Sequence, residues 1–429
     1  MFARNAGWSL AGAVVGAPAA LAVSVLLARW LEPSVNGQVQ AGWSLLMLLA
    51  VAGQLGAVAA AIHRIRRARQ APGLALTTGL LSVTVTGSVV VAGLWAVREW
   101  LRSAVLLGLP EPALGWLLAA VVPLLWMQVF GGVSRALDRF PLWAVAQGGA
   151  HLARLVGLAA AVVAATPAAW AATAALAAAQ GVTTLALGAR VLAHTGLAWP
   201  QRSELWMSTR YGAQTYLFTM AGQVHERVDL FLLAALHGDA AAVATYAVAV
   251  GVVNRIRVIP IAMASALFPR AAELDDAAGA RFTAAVCRHA ILWTGLAAAL
   301  LGGVAVWVVP AVWGSAYAPS VQPMWVLLPA TVALSVSSML GRYFQAVDRQ
   351  PVIIGSQALG VVLNLALNVW WIPTYGAVGA AMASLVSYGV QGAVLVGAFV
   401  RYSGLSLRHT LVIGPDDLRW YADRVRRAP

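Results

Sequence analysis

Apolar residues in this chain come in runs long enough to cross a bilayer. A spanning helix takes about 20 mainly apolar residues. Twelve windows meet that length: 8–28, 37–62, 74–97, 113–133, 142–165, 168–190, 209–235, 240–267, 286–310, 322–346, 351–372 and 376–400. Pro, Gly and charged residues mark the junctions, as at Glu32-Pro33, Pro72-Gly73, Thr166-Pro167, Trp199-Pro200 and Pro373. The first run is too long, and the second follows too closely, for a cleaved signal peptide. The pattern predicts an all-α polytopic membrane protein with about 12 transmembrane helices.

Composition agrees. Hydrophobic residues make up 61% of the chain and charged ones 10%, with a mean hydropathy of +0.79. Soluble domains carry roughly 45–50% and about 25%. A soluble enzyme and a secreted disulfide scaffold are thereby excluded. Cys287 is the single cysteine, so no internal disulfide or thiolate metal cluster can form.

The net charge of +13 comes from 28 Arg, no Lys and 15 acids. With a cytoplasmic N-terminus, twenty-one Arg fall in cytoplasmic segments, and only Arg29, Arg98 and Arg102 fall on the opposite face. That is a positive-inside distribution with both termini cytoplasmic. The basic charge then reports topology and contact with anionic lipid head groups, and nucleic acid drops out as a partner. The segment 196–208 and the tail 415–427, expected to form a short capped helix, are the sizeable soluble pieces. Neither could house catalysis.

A repeat runs through the chain. Ala136-Leu137-Asp138-Arg139-Phe140-Pro141, with Gln147 and Leu155, returns 210 residues later as Ala346-Val347-Asp348-Arg349-Gln350-Pro351, with Gln357 and Leu365. A weaker echo relates Leu27–Gly37 to Ala234–Ala244 at an offset of 207. Six windows separate the copies, so parallel six-helix bundles with a central cavity are expected. The expected division is a lobe over 1–195, a cytoplasmic linker over 196–208, a second lobe over 209–405 and a cytoplasmic tail over 406–429.

Leu27-Ala28-Arg29-Trp30-Leu31-Glu32-Pro33 with Gly37 resembles the first hairpin of the polysaccharide and lipid-linked oligosaccharide flippases. Asp229-Leu230-Phe231-Leu232-Leu233, Ala244-Thr245-Tyr246, Pro260 and Leu267-Phe268-Pro269 resemble their seventh and eighth helices. Asn364, Asn368, Pro373, Gly376 and Gly379-Ala380-Ala381 resemble their last two. The resemblance implies a member of the multidrug/oligosaccharidyl-lipid/polysaccharide superfamily, two-lobed and working by alternating access. It further implies a bacterial or archaeal cytoplasmic membrane, a polyprenyl-diphosphate-linked oligosaccharide as substrate, and glycan assembly machinery as a partner. Lipid II flippases of that superfamily usually have two further helices, which counts against that substrate.

Six ionisable residues lie well inside windows: Arg154, Glu226, Arg227, Asp229, Arg255 and Arg257. Each costs roughly 2.5–3.5 kcal/mol on insertion scales and marks a functional position. Arg suits a diphosphate because its planar fork donates paired hydrogen bonds and stays charged. Arg154, Arg255 and Arg257 are thus candidate diphosphate contacts. Residues 255 and 257 would stand about 200° apart on a helix, so one of them faces inward. Static salt bridges among Glu226, Arg227, Asp229 and the eighth-window Arg residues are the rival reading.

Asp229, Asn364, Asn368 and Ser384 could offer an all-oxygen shell to a hard cation, and this resembles the C-terminal-lobe sodium site of some superfamily members. The second Asn stands where a carboxylate is sometimes found. Proton binding at Asp229 or Glu226, and plain interhelical hydrogen bonding, remain open beside it. No nucleotide loop is present, since no Lys exists to complete one. No cofactor is expected beyond a coupling Na+ or H+.

The expected function is flipping of a lipid-linked oligosaccharide. The alternatives are a multidrug or metabolite cation antiporter of the same superfamily, disfavoured by the cationic excess, and a lipid II flippase. A membrane glycan polymerase would need a large external loop with catalytic groups. The longest external loop, 98–112, holds only Arg98, Glu99, Arg102 and Glu111, so a non-enzyme is expected.

Overall fold

Where they fall among the described residues, the apolar windows fold mainly as helices in a computed structural model that describes residues 2–164, 166–201, 204–206, 208, 210, 212, 228–415 and 417. Glu226, Arg227 and most of the 209–235 window lie outside the described residues, as does most of the 415–427 tail.

The helices are α1 (Phe2–Trp30), α2 (Pro33–Gly53), α3 (Ala57–Arg66), α4 (Pro72–Ala96), α5 (Arg98–Ala104), α6 (Glu111–Ala119), α7 (Val121–Ala136), α8 (Phe140–Ala164) and α9 (Ala169–Thr195). They continue as α10 (Val228–His237), α11 (Ala240–Val253), α12 (Val258–Glu273), α13 (Asp276–Trp313), α14 (Val321–Ala346), α15 (Gln350–Ser403) and α16 (Leu407–Leu411), with a 3-10 turn over Ser315–Ser320. Among the described residues, eight helical segments are long and apolar enough to cross a membrane, and the bent pair α11–α12 makes a ninth. Large apolar side chains such as Val89, Val163, Leu185, Leu300, Trp307 and Trp370 are exposed. That surface belongs in lipid, and the chain is a multi-pass membrane protein.

Several expected single spans are broken. The 37–62 window splits between α2 and α3, where Leu55 and Gly56 take φ of 40° and 72°. The 240–267 window bends by 43° between α11 and α12. The 351–372 and 376–400 windows remain two helices within α15, whose 54 residues as one straight helix would run about 80 Å. That is more than twice the hydrocarbon thickness. Gly376 divides α15 into two spans by adopting φ 52°, ψ −129°, a conformation closed to side-chain-bearing residues.

The described chain forms two compact units, one of residues 1–248 and 310–318, the other of 249–309 and 319–429. In the first, α1 runs along α8 through a seam of small residues. A Cβ on Gly12 would sit 2.8 Å from the Ala144 Cα. Van der Waals packing at such close approach drives helix association where lipid offers no hydrophobic gain. Arg29, expected as a simple external-face charge, instead caps the end of α13, donating from Nε to the Val312 carbonyl at 3.0 Å and from Nη2 to the Ala311 carbonyl at 2.5 Å. Asn36 donates to the Tyr317 hydroxyl at 2.7 Å, and both are buried.

The second unit is built on α12–α15 around Cys287, Met339, Leu340, Tyr343, Phe344 and Phe399. Tyr343 meets Phe399 edge-to-face at 5.0 Å between centroids.

The 210-residue repeat has a physical counterpart in each unit. Asp138 and Asp348 both take positive φ, 59° and 55°. The amides of Arg139 and Arg349 donate back to the Ser134 and Phe344 carbonyls, each at 2.8 Å. Both are the left-handed helix stop in which an amide beyond the end satisfies a last-turn carbonyl. The 207 offset is likewise visible: α1 ends and α2 begins at Trp30 and Pro33, α10 and α11 at His237 and Ala240.

Candidate functional site

In the first unit, Arg154 lies on α8 ten residues before its end at Ala164. At 1.5 Å per residue that is about 15 Å, half the hydrocarbon thickness. Its Nη2 donates to Oε1 of Gln180 on α9 at 2.8 Å. The Trp43 ring of α2 covers one guanidinium face, 5.2 Å from its centroid. Nε is buried without a partner, Nη1 makes no hydrogen bond, and the side chain as a whole stays partly exposed. Among the described residues no carboxylate pairs with this cation.

The neutral shell around it is itself ordered. Gln180 is fully buried, and its amide nitrogen donates to Thr184 Oγ1 at 3.2 Å and to the Met127 sulfur at 3.1 Å. Thr184 spends its proton on the Pro123 carbonyl of α7 at 3.0 Å. Three helices, α2, α8 and α9, thus meet at the guanidinium, and α7 holds the Gln180–Thr184 pair behind it.

Arg255 and Arg257 belong to the second unit. The expectation that they occupy opposite faces of one helix is corrected, because residues 254–257 are the non-helical break between α11 and α12. Helical periodicity therefore does not assign their directions. The Arg255 Nε is buried without a partner. Arg257 reaches the Asn254 side chain at 3.4 Å.

Asp229, at the start of α10, is buried in the first unit and accepts from the Tyr246 hydroxyl at 3.4 Å. Asn364, Asn368 and Ser384 are buried on α15 in the second. Asn368 donates to the Asn364 carbonyl oxygen at 3.0 Å, Asn364 donates to Ser387 Oγ at 3.3 Å, and Ser387 donates to the Ser384 carbonyl at 3.1 Å. This cluster offers neutral oxygens only. Among the described residues no three His, Cys, Asp or Glu side chains converge as metal ligands would. Glu226 lies outside the described residues.

Sequence reasoning missed the partners of Arg154. A signal existed: Gln180 and Thr184 are an i,i+4 polar pair in the otherwise Ala-rich α9, and such pairs share a helix face. Nothing comparable marks Trp43, one of 18 tryptophans.

One ion pair has a titration consequence. Arg288 of α13 grips Asp417 with two hydrogen bonds, 2.7 Å from Nε and 2.8 Å from Nη2, and also donates to the His409 carbonyl. The Arg288 hydrogen bonds hold the Asp417 carboxyl below the ordinary carboxylate range, against the opposing effect of partial burial.

A family model described as polysaccharide biosynthesis protein matches residues 2–275. No curated protein matches the chain. Among solved structures, a lipid II flippase MurJ in an inward closed conformation is similar with a TM-score of 0.78 at 9% identity, covering 97% of this chain and 92% of that one. A multidrug resistance MATE family transporter of the MOP superfamily, facing inward, gives 0.71 at 17% identity over 90% and 94%. An outward-facing structure of such a transporter gives 0.68 at 16% over 94% and 95%. At these identities the likeness is one of fold.

Proposed function

The chain belongs to the polysaccharide biosynthesis protein family, and from that premise we propose that it flips a polyprenyl-diphosphate-linked oligosaccharide across the cytoplasmic membrane by alternating access. The observation that carries this reading is Arg154: a guanidinium near mid-membrane whose partners among the described residues are all neutral. A charge at that depth without a counter-ion is costly. An anion that visits and leaves accounts for keeping it. In the second unit, Arg255, whose Nε is buried without a partner among the described residues, and Arg257 are read separately as diphosphate contacts. The diphosphate is the one strongly anionic part of such a substrate, and Arg matches its oxygens in a planar, two-bond geometry.

Driving gradients are read in each unit separately: at the Asp229 carboxylate, protonated or ion-bound in turn, and at the neutral oxygens of Asn364, Asn368 and Ser384, which suit a monovalent hard cation. A cation antiporter is the weaker reading, because the Arg154 guanidinium, with no carboxylate beside it among the described residues, repels its cargo. Lipid II carries the same diphosphate chemistry and is separated by competition.

The test uses purified protein in liposomes holding a fluorescent polyprenyl-diphosphate sugar, with sodium and proton gradients imposed separately. Transbilayer movement that fails in Arg154→Ala is the expected result. Efflux of cationic dyes without lipid movement would replace this reading with the antiporter. Movement abolished by excess lipid II, with undecaprenyl-diphosphate glycans ineffective as competitors, would replace the substrate.

A further inference from the structure

Arg154 could have been neutralised by one carboxylate on the facing helix, and the position that would hold it is occupied by Gln180. The orientation of that amide follows from its neighbours. The Thr184 hydroxyl has given its proton to the Pro123 carbonyl, so toward Gln180 it can only accept. The Gln180 nitrogen must therefore face Thr184, and Oε1 must face Arg154. Trp43 closes one face of the guanidinium. A ligand is left the edge carrying Nη1 and the second Nη2 proton, on a residue that is only partly buried.

We propose that Gln180 is a positioning residue for a phosphate-binding edge on Arg154, holding the guanidinium in place while leaving its charge uncompensated. This rests on the flippase reading above. A neutral acceptor takes one of five N–H donors and none of the charge. A glutamate of the same shape would take both, converting an anion receptor into a closed ion pair. The ligand class is a lipid-linked diphosphate, esterified at both ends in the glycan-bearing substrate and at one end in the bare lipid. The polyprenyl chain contributes nothing to recognition at this point.

The experiment is a binding comparison with the full-length protein in nanodiscs, using undecaprenyl diphosphate and uncharged undecaprenol as probes. The wild type is expected to prefer the diphosphate. Gln180→Glu is expected to lose that preference at least tenfold while the protein still folds, the ion pair with Arg154 offsetting the lost hydrogen bonds to Thr184 and Met127. A purely structural Gln180 predicts the reverse pattern, with stability changed and the preference for diphosphate intact, and that result would overturn the proposal. Thr184→Val, which removes the hydroxyl that orients the amide, is expected to weaken the preference by about threefold. Should Gln180→Glu fail to fold, an unchanged preference in Thr184→Val overturns the proposal. A wild type with no preference for diphosphate sinks the inference and the diphosphate part of the flippase reading together. Preference without transbilayer movement sinks the flippase reading alone.

Discussion

Arg154 and Arg288 both turn inward from long helices, yet they are satisfied in opposite ways. Arg288 lies toward the start of α13, with its side chain 16% exposed, and holds the Asp417 carboxylate in a paired grip. Arg154 lies midway along α8 and holds an amide oxygen and an indole face. A buried cation meant to remain where it is needs a counter-ion and a full set of acceptors. One that leaves Nε and Nη1 unpartnered has its interaction free energy available for a ligand. The first arrangement fastens a chain terminus, and the second prepares a receptor.

The contrast breaks most sharply in transport. Arg154→Ala should cut flipping about 10- to 100-fold, the loss of one or two charge-assisted hydrogen bonds, at unchanged protein level. Arg288→Ala should leave the rate within about twofold. Initial rates in the liposome assay, normalised to inserted protein, decide it, and equal losses in the two variants would erase the distinction.

Stability should show the opposite ranking. Removing Arg288 leaves a largely buried carboxylate unpaired and should cost about 2 kcal/mol, read as a fall in melting temperature, whereas Arg154→Met should cost little or stabilise. An Arg154→Met variant less stable than Arg288→Ala would show that Arg154 is structural.

The Asp417 grip also predicts a pH window. Its carboxyl is held below the ordinary value in the folded protein, so the unfolded chain takes up the proton first as acid is added. The staple's contribution is complete above about pH 4, where an unfolded Asp is ionised, and is lost as pH falls through the lower folded value. Proteolysis of the C-terminal tail should therefore stay slow from neutral pH down to about 4 and accelerate only below it, while Asp417→Asn should be cut readily at pH 7.

A third arginine sets the small end of the scale. Arg66 reaches Asp138 at 2.5 Å, with both side chains more than two-fifths exposed at 46% and 43%. Water screens such a pair to about 0–1 kcal/mol. Arg66→Ala should shift the melting temperature by less than half the Arg288→Ala effect and leave transport unchanged.

How much was legible beforehand varied with the range of the interaction. The Asp138 and Asp348 turns were visible as Asp-Arg at matching offsets because a helix stop is a local event: one residue in the left-handed region and one amide reaching back five residues. The position of Arg154 mid-window was equally plain, since an ionisable residue stands out in an apolar run. Its partners were not, because Trp43 and Gln180 come from two other helices. Arg29 was read as a topology marker, but it caps carbonyls 282 and 283 residues away. The break at Arg255–Arg257 escaped because apolar windows report length and composition, and a bend changes neither.

By itself the sequence determined that the chain crosses the membrane many times as helices, where the internal repeat falls, and which charges are buried in it. Bilayer thickness and the cost of unsatisfied backbone in hydrocarbon leave one solution for runs of this kind. Only the tertiary structure decided which of those charges are neutralised. Pairing depends on side chains that meet across helices far apart in the chain, and residue spacing within one helix carries no information about its neighbours' faces. That is why Arg288 proved to be fastened and Arg154 open.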